Sequence, residues 1–97
     1  EDSDFKVRCE LAANPNTPSE ILVKLAEDKN ENVRCAVAEN KNTPSEVLSK
    51  LAQDEDRDVR ECIAGNPNTA TEILVMLNKD IDEDVSKSAM INLRNRM

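Results

Sequence analysis

Apolar side chains in this chain fall on two kinds of stripe, and the pair of stripes returns every 26 residues. Over residues 31–39, Val33, Val37 and Ala38 stand at i, i+4 and i+5, which puts them on one face of a helix. Over residues 44–53, Val47, Leu48, Leu51 and Ala52 form a second stripe on an otherwise polar segment. No stretch alternates apolar and polar residues with the period of two that a half-buried strand requires. Each unit therefore reads as two short helices. Val7/Val33/Val59, Ala12/Ala38/Ala64, Leu22/Leu48/Leu74 and Leu25/Leu51/Leu77 repeat the apolar framework. Arg8/Arg34/Arg60, Asn14/Asn40/Asn66, Asn16/Asn42/Asn68, Thr17/Thr43/Thr69, Glu20/Glu46/Glu72 and Asp28/Asp54/Asp80 repeat a polar one. A partial fourth copy starts at Val85 and keeps Asn92.

The polar positions punctuate the helices. Asn30, Asp56 and Asp82 stand where an N-cap belongs. Thr17-Pro18-Ser19-Glu20 and Thr43-Pro44-Ser45-Glu46 read as capping boxes with proline in the first turn, and Thr69-Ala70-Thr71-Glu72 keeps the cap without the proline. Asn40 stands where a left-handed C-terminal residue is expected. Seven helices are predicted, over about 4–13, 18–27, 31–39, 44–53, 57–65, 70–79 and 83–95. The last is longer because Val85, Ala89, Leu93 and Met97 continue a four-residue spacing. With Met90 in place of the recurring alanine, it is expected to cover the open end of a stack, and Phe5 to do the same at the front.

A fixed period between 20 and 50 residues is the mark of a solenoid, whose units bury their apolar faces only against neighbours. The expectation is one all-α domain over residues 1–97, with repeats at about 4–29, 30–55 and 56–81 and a terminal half-repeat at 82–97. Aromatic residues make up 1% of the chain, so the core must come from Leu, Val, Ile and Ala. That composition suits closely stacked helical layers.

Charge narrows the range of partners. Net charge is −7, with 20 acids against 13 bases and no histidine, which excludes the basic face that nucleic-acid phosphates require. A basic or mixed protein surface is the expected partner. No apolar run approaches the roughly 20 residues that cross a bilayer. Glu1-Asp2-Ser3-Asp4 is unlike a targeting sequence, and a start without Met reads as a processed or excised piece of something longer. Three cysteines, an odd number, argue against a disulfide framework and for free thiols in the cytoplasm. Cys9 and Cys35 hold equivalent positions, so stacking would separate them by one helix spacing of ~8–10 Å, beyond the roughly 7 Å that a disulfide spans.

The string from Val7 to Asp28, Val-Arg-x-x-apolar-Ala-x-Asn-Pro-Asn-Thr-Pro-Ser-Glu-apolar-Leu-x-x-Leu-Ala-x-Asp, resembles the leucine-rich repeat variant family, a bacterial helical repeat. Residues 33–54 and 59–80 follow it more loosely, with Lys41, Ala70 and Asn78 as departures. The resemblance implies a right-handed superhelix of paired helices, related to HEAT-like repeats. An iron–sulfur cluster that one type in the family carries outside its repeats does not carry over, because four thiolates are the usual requirement. The six-residue interval in Asp2–Arg8, Asp28–Arg34 and Asp54–Arg60 also resembles a HEAT-type ladder. There each guanidinium joins carboxylates of its own and a neighbouring repeat.

Catalysis has little to work with. Without histidine no Cys–His pair can form, and a single glycine rules out a phosphate-cradling loop. Asp54-Glu55-Asp56-Arg57-Asp58 and Asp80-Ile81-Asp82-Glu83-Asp84 begin like calcium loops. However, Val59 and Gly65, and Val85 and Ile91, replace the glycine and glutamate such loops need at positions 6 and 12. No cofactor is expected. Outward positions on the Val-Arg helices vary while the framework repeats, which is where a stack would encode a partner. The candidate binding residues are Lys6, Cys9, Glu10, Asn32, Cys35, Glu39, Asp58, Glu61 and Cys62. Val23, Val75 and Met76 lie off the buried stripe of the second helices and form a second candidate surface. The reading is a non-enzymatic protein-interaction module. The alternative is a metal-linked or redox accessory protein that uses the Asp-rich loops or the thiols. A melting temperature that responds to calcium, zinc or a chelator separates the two.

Overall fold

A computed structural model describes residues 4–97. Among them are seven helices and no strand: α1 (Phe5–Ala13), α2 (Ser19–Leu25), α3 (Glu31–Glu39), α4 (Ser45–Leu51), α5 (Arg57–Gly65), α6 (Thr71–Leu77) and α7 (Glu83–Arg94). The odd-numbered helices start where the sequence places a capping carboxylate or amide. Asp4 accepts a hydrogen bond from the Lys6 N–H, Asn30 from Asn32, Asp56 from Asp58 and Val59, and Asp82 from Asp84 and Val85.

Two expected caps are replaced by other bonds. Thr17, Thr43 and Thr69 do not cap α2, α4 and α6, which begin after Pro18, Pro44 and Ala70 without a side-chain cap. The threonines are buried, and their hydroxyls donate backward to the carbonyls of Leu11, Val37 and Ile63 at 2.5, 2.6 and 2.8 Å. Those carbonyls lie in the last turn of the preceding helix, where each also accepts the N–H of the asparagine that follows the helix, so the hydroxyl adds a second bond. Asn40 is not left-handed either; it is extended at φ −78° and ψ 126°, and no described residue has positive φ. Its side-chain oxygen takes the Asn42 N–H at 2.8 Å and turns the chain without an αL residue.

Stacking runs along the odd row: α1 packs on α3, α3 on α5 and α5 on α7, while α2, α4 and α6 pack on the odd helix that follows each. The result is an elongated slab of 41 × 24 × 17 Å. Ala12, Ala38 and Ala64 are fully buried and small enough to let neighbouring odd helices approach, with Val33, Val37, Val59, Ile63, Val85 and Ala89 filling the space between them. Leu22 and Leu74 are fully buried and Leu48 is 2% exposed, so the three equivalent leucines share one environment. Each such side chain contributes roughly 1.5–3 kcal/mol.

The two ends differ. Val7 and Leu11 are 54% and 45% exposed, whereas their equivalents Val33 and Val37 are fully buried against a preceding helix. Phe5 packs on the core without covering them. At the far end α7 has 12 residues where α3 and α5 have 9, and its extra turn lays Leu93 against the core. Met90, expected to help cover this end, is 46% exposed and is not packed on the core as Leu93 is.

Two polar ladders run through the stack. Asn40 donates its amide to the carbonyls of Ala12 and Asn14 in the preceding layer, Asn66 to Ala38, and Asn92 to Ala64 and Asn66. The arginine ladder has a different register from the expected one. Arg8 forks onto Asp28, Arg34 onto Asp54 and Arg60 onto Asp80, each 20 residues downstream. The aspartate six residues upstream offers its main-chain oxygen instead: Arg34 donates to Asp28 O and Arg60 to Asp54 O, both at 2.9 Å. Carboxylate geometry explains the shift. Asp28 Oδ1 already accepts from Arg8 and from the Asn30 N–H, so only the Asp28 carbonyl faces Arg34. Asp2 lies outside the described residues.

Candidate binding groove

The odd-numbered helices carry an open groove of about 530 Å³. Glu39, at the end of α3, forms one wall, and Asp58, Glu61, Cys62 and Gly65 of α5 form the floor with Asn66 and Pro67. Ser88 of α7 closes the other side. A second hollow of about 430 Å³ shares Gly65, Pro67 and Ser88 and continues to Ile91, Asn92, Asn95 and Arg96. The first hollow is lined by three carboxylates. The second holds exposed Ile91 and a cation already committed, since Arg96 donates to the Pro67 carbonyl and the Thr71 hydroxyl. An added Cβ at Gly65 would meet nothing within 4 Å, so this position leaves the floor open.

Four of the nine sequence candidates, Glu39, Asp58, Glu61 and Cys62, meet in this groove. Lys6, Glu10 and Asn32 are exposed on earlier helices and do not line it. Cys9, Cys35 and Cys62 are only partly outward: all three pack against the core cluster. Gly65 and Ser88, also in the groove, belong by helical spacing to the same variable outward positions as Glu39 and Cys62. Asn66 and Pro67 follow α5; Asn66 belongs to the repeating framework and not to the variable outward positions. Val23, Val75 and Met76 are 45%, 47% and 45% exposed.

A family model for the leucine rich repeat variant matches residues 5–30 and 31–56, two consecutive units that together span more than half of the chain. The chain belongs to the leucine rich repeat variant family. No curated protein matches it, and no solved structure does. Residues 57–97 lie beyond the two matched units, yet Arg60–Asp80, Thr69–Ile63 and Asn92–Ala64 reproduce the bonds of those units. Repeat modules of this type generally present structural or interaction surfaces. No helix among the described residues is long and apolar enough to cross a membrane.

The electrostatics of this leucine rich repeat variant divide its acids into two sets. Burial by itself would raise the Asp28 and Asp80 carboxyls, but the Arg8 and Arg60 guanidiniums, with the Asn30 and Asp82 N–H groups, hold both below the ordinary value. The hydrogen bond and charge of Arg57 hold Asp82 low as well. In the Asp-rich loops Asp54 binds Arg34 and the Asp56 N–H, while Asp56 and Asp82 cap helices. Among the described residues, no three metal-binding side chains converge where they could hold an ion. The groove acids form the other set, in which Glu39 accepts from the Cys62 thiol at 3.4 Å. The Cys35 thiol and burial push the Cys62 thiol up, and Cys62 in turn holds Cys35 down.

Proposed function

We propose that this chain is a non-enzymatic protein-interaction module whose groove receives a basic segment of a partner protein. The observation that carries the reading is the convergence of Glu39, Asp58 and Glu61 from two successive layers on one open hollow. Asp4, Asp28, Asp54, Asp56, Asp80 and Asp82 have structural work in ladders and caps, whereas these three acids line the hollow, where a partner could neutralise them. Their charge adds to a net charge of −7, which steers cationic surfaces toward the chain and speeds encounter. The adjoining hollow, with Ile91 exposed beside Gly65 and Pro67, offers an apolar seat next to the acidic one. A segment with two or three Lys or Arg residues followed by an apolar side chain fits both.

The test is fluorescence anisotropy with labelled peptides of basic, neutral and acidic composition at low and moderate salt. The expected result is binding of the basic-apolar peptide alone, weakening as salt screens the charges. The combined change Glu39→Gln, Asp58→Asn, Glu61→Gln should weaken it by about tenfold or more. Gly65→Lys places a cation on the groove floor where no atom resists it, and should abolish binding. Equal affinity of wild type and both variants would reject this face as the site.

A further inference from the structure

The carbonyls of Pro15 and Lys41, equivalent points of two units, each accept an amide from the next layer: Asn42 Nδ2 donates to Pro15 and Asn68 Nδ2 to Lys41. The third such carbonyl belongs to Pro67, and no asparagine is placed to meet it, because Arg94 stands 26 residues after Asn68. Arg96 takes over the bond, its Nη2 donating to Pro67 O at 2.9 Å. Its Nη1 donates to the Thr71 hydroxyl and its Nε to the Asn92 side-chain oxygen, both at 3.3 Å. All three acceptors are uncharged. They hold the guanidinium in place and leave its charge, with one N–H on each Nη, open to a further partner.

That charge has no structural task. A neutral amide suffices for the same bond in two units. Arg8, Arg34, Arg57 and Arg60 each pair with an aspartate, whereas no carboxylate pairs with Arg96 among the described residues. The last turn of α7 already holds Arg94 to complement its dipole, while Arg96 lies beyond the helix and turns back to the α5–α6 connection. The result is a fixed cation in the hollow that also exposes Ile91, continuous with the acidic hollow through Gly65, Pro67 and Ser88. From Glu61 to Gly65 is one helical turn, about 6 Å, and the two residues on to Pro67 add at most ~7 Å. An extended segment crosses that span in about four residues.

We infer that Arg96 receives a carboxylate of the same partner segment whose basic side chains occupy the acidic hollow, resting on the reading of that hollow as their seat. The segment then carries two Lys or Arg, an apolar residue two positions on, and Asp or Glu about four positions beyond the second base. A guanidinium already held by three bonds gains a charge-assisted bond with little further ordering. The net charge of −7 repels acidic segments as a class, so the carboxylate reaches Arg96 only when basic neighbours bring it in.

The experiment titrates the full chain, by fluorescence anisotropy, with two labelled, end-blocked peptides of identical composition: Lys-Lys-Ser-Leu-Ser-Glu and Lys-Lys-Glu-Leu-Ser-Ser. Net charge is the same in both, so only the place of the carboxylate differs. The first should bind wild type tighter by about fivefold or more. Arg96→Gln retains an amide for the Pro67 carbonyl, with thermal melting as the check on folding, and should bring the two peptides to equal affinity. Arg96→Lys should keep only part of the preference, because it lacks the rigid fork. Equal affinities on wild type, or a preference that survives Arg96→Gln, would overturn the proposal. If neither peptide binds, it is the acidic-hollow reading that fails, and acetyl-Leu-Ser-Glu-amide then decides the carboxylate site alone. At about millimolar concentration it should shift the Arg96 Nε–H resonance; a resonance that does not move would reject Arg96 as a carboxylate site.

Discussion

Asn66 donates its side-chain amide to the carbonyl of Ala38, 28 residues earlier, at 2.6 Å, while its side-chain oxygen takes the Asn68 N–H at 2.7 Å. One side chain thus closes the turn of its own unit and serves the C-terminal end of the helix behind it. Ala38 is among the last residues of α3, whose carbonyls have no partner within the helix. The next layer supplies that partner, so each helix end is completed only when its neighbour is in place.

Removing this group should therefore cost more than a surface substitution. Asn66→Ala strands the buried Ala38 carbonyl and the Asn68 N–H and should destabilise the chain by about 2–3 kcal/mol. Asn66→Asp keeps the turn but sets a carboxylate against a carbonyl, and should cost at least as much. Asn14, exposed at the front, accepts only the Asn16 N–H through its oxygen; Asn14→Ala should cost about 0.5 kcal/mol. Urea unfolding of the three variants checks the order, and equal losses at 14 and 66 would show that the ladder carries no stability.

Thr43 separates two roles that look identical in sequence. A helix cap needs an acceptor, which Asp supplies as well as Thr does. The observed bond needs a donor, because the Thr43 hydroxyl gives its proton to the Val37 carbonyl at 2.6 Å. Thr43→Ser should lose little beyond a methyl group. Thr43→Asp should lose about 3 kcal/mol or more by burying an acceptor against an acceptor. Tolerance of Asp at 43 in a thermal melt would restore the capping role.

These two residues mark where sequence reading stops. The 26-residue step exposed the helices, the apolar spine, the capping residues of the odd helices and four of the eight residues lining the acidic groove, because each follows from local periodicity or from equivalence between copies. What it hid lies between copies. A repeat shows that Asn40 and Asn66 are equivalent; it carries no sign that Asn66 reaches Ala38 rather than a carbonyl of its own unit. Arg34 illustrates the same limit: two aspartates stood at plausible spacings, and only three-dimensional register assigned the carboxylate to Asp54 and the carbonyl to Asp28.

Acid should loosen the arginine ladder, with a sign fixed by the direction of the shifts. Asp28 and Asp80 are held below their ordinary carboxyl value of about 3.9 by Arg8 and Arg60 against the opposing effect of burial. Their stabilisation is fully present above that unfolded-state value and is lost as pH falls through the lower folded-state value. Protonating the many other acids relieves repulsion in a chain of net charge −7, so the bare melting curve mixes two effects. The difference between wild type and Asp80→Asn isolates the ladder. It should be constant from pH 7 to about 5 and shrink below about pH 4. A gap that persists unchanged at the lowest pH would mean that the Asp80 charge contributes nothing.

The open front of the stack gives the last expectation. Val7 and Val33 occupy the same repeat position, yet one is 54% exposed and the other fully buried, because only Val33 has a helix packed behind it. Val33→Ala leaves a hole that close-packed neighbours fill only in part, so it should cost about 2 kcal/mol or more. Val7→Ala removes a side chain already half in water and should cost about 0.5 kcal/mol. In a nearest-neighbour stack the stability of a position is set by the layers on either side of it. Denaturant midpoints for the pair measure that dependence directly: similar losses would mean that α1 is held by something other than stacking, and a steep difference would assign the stability of each unit to its neighbours.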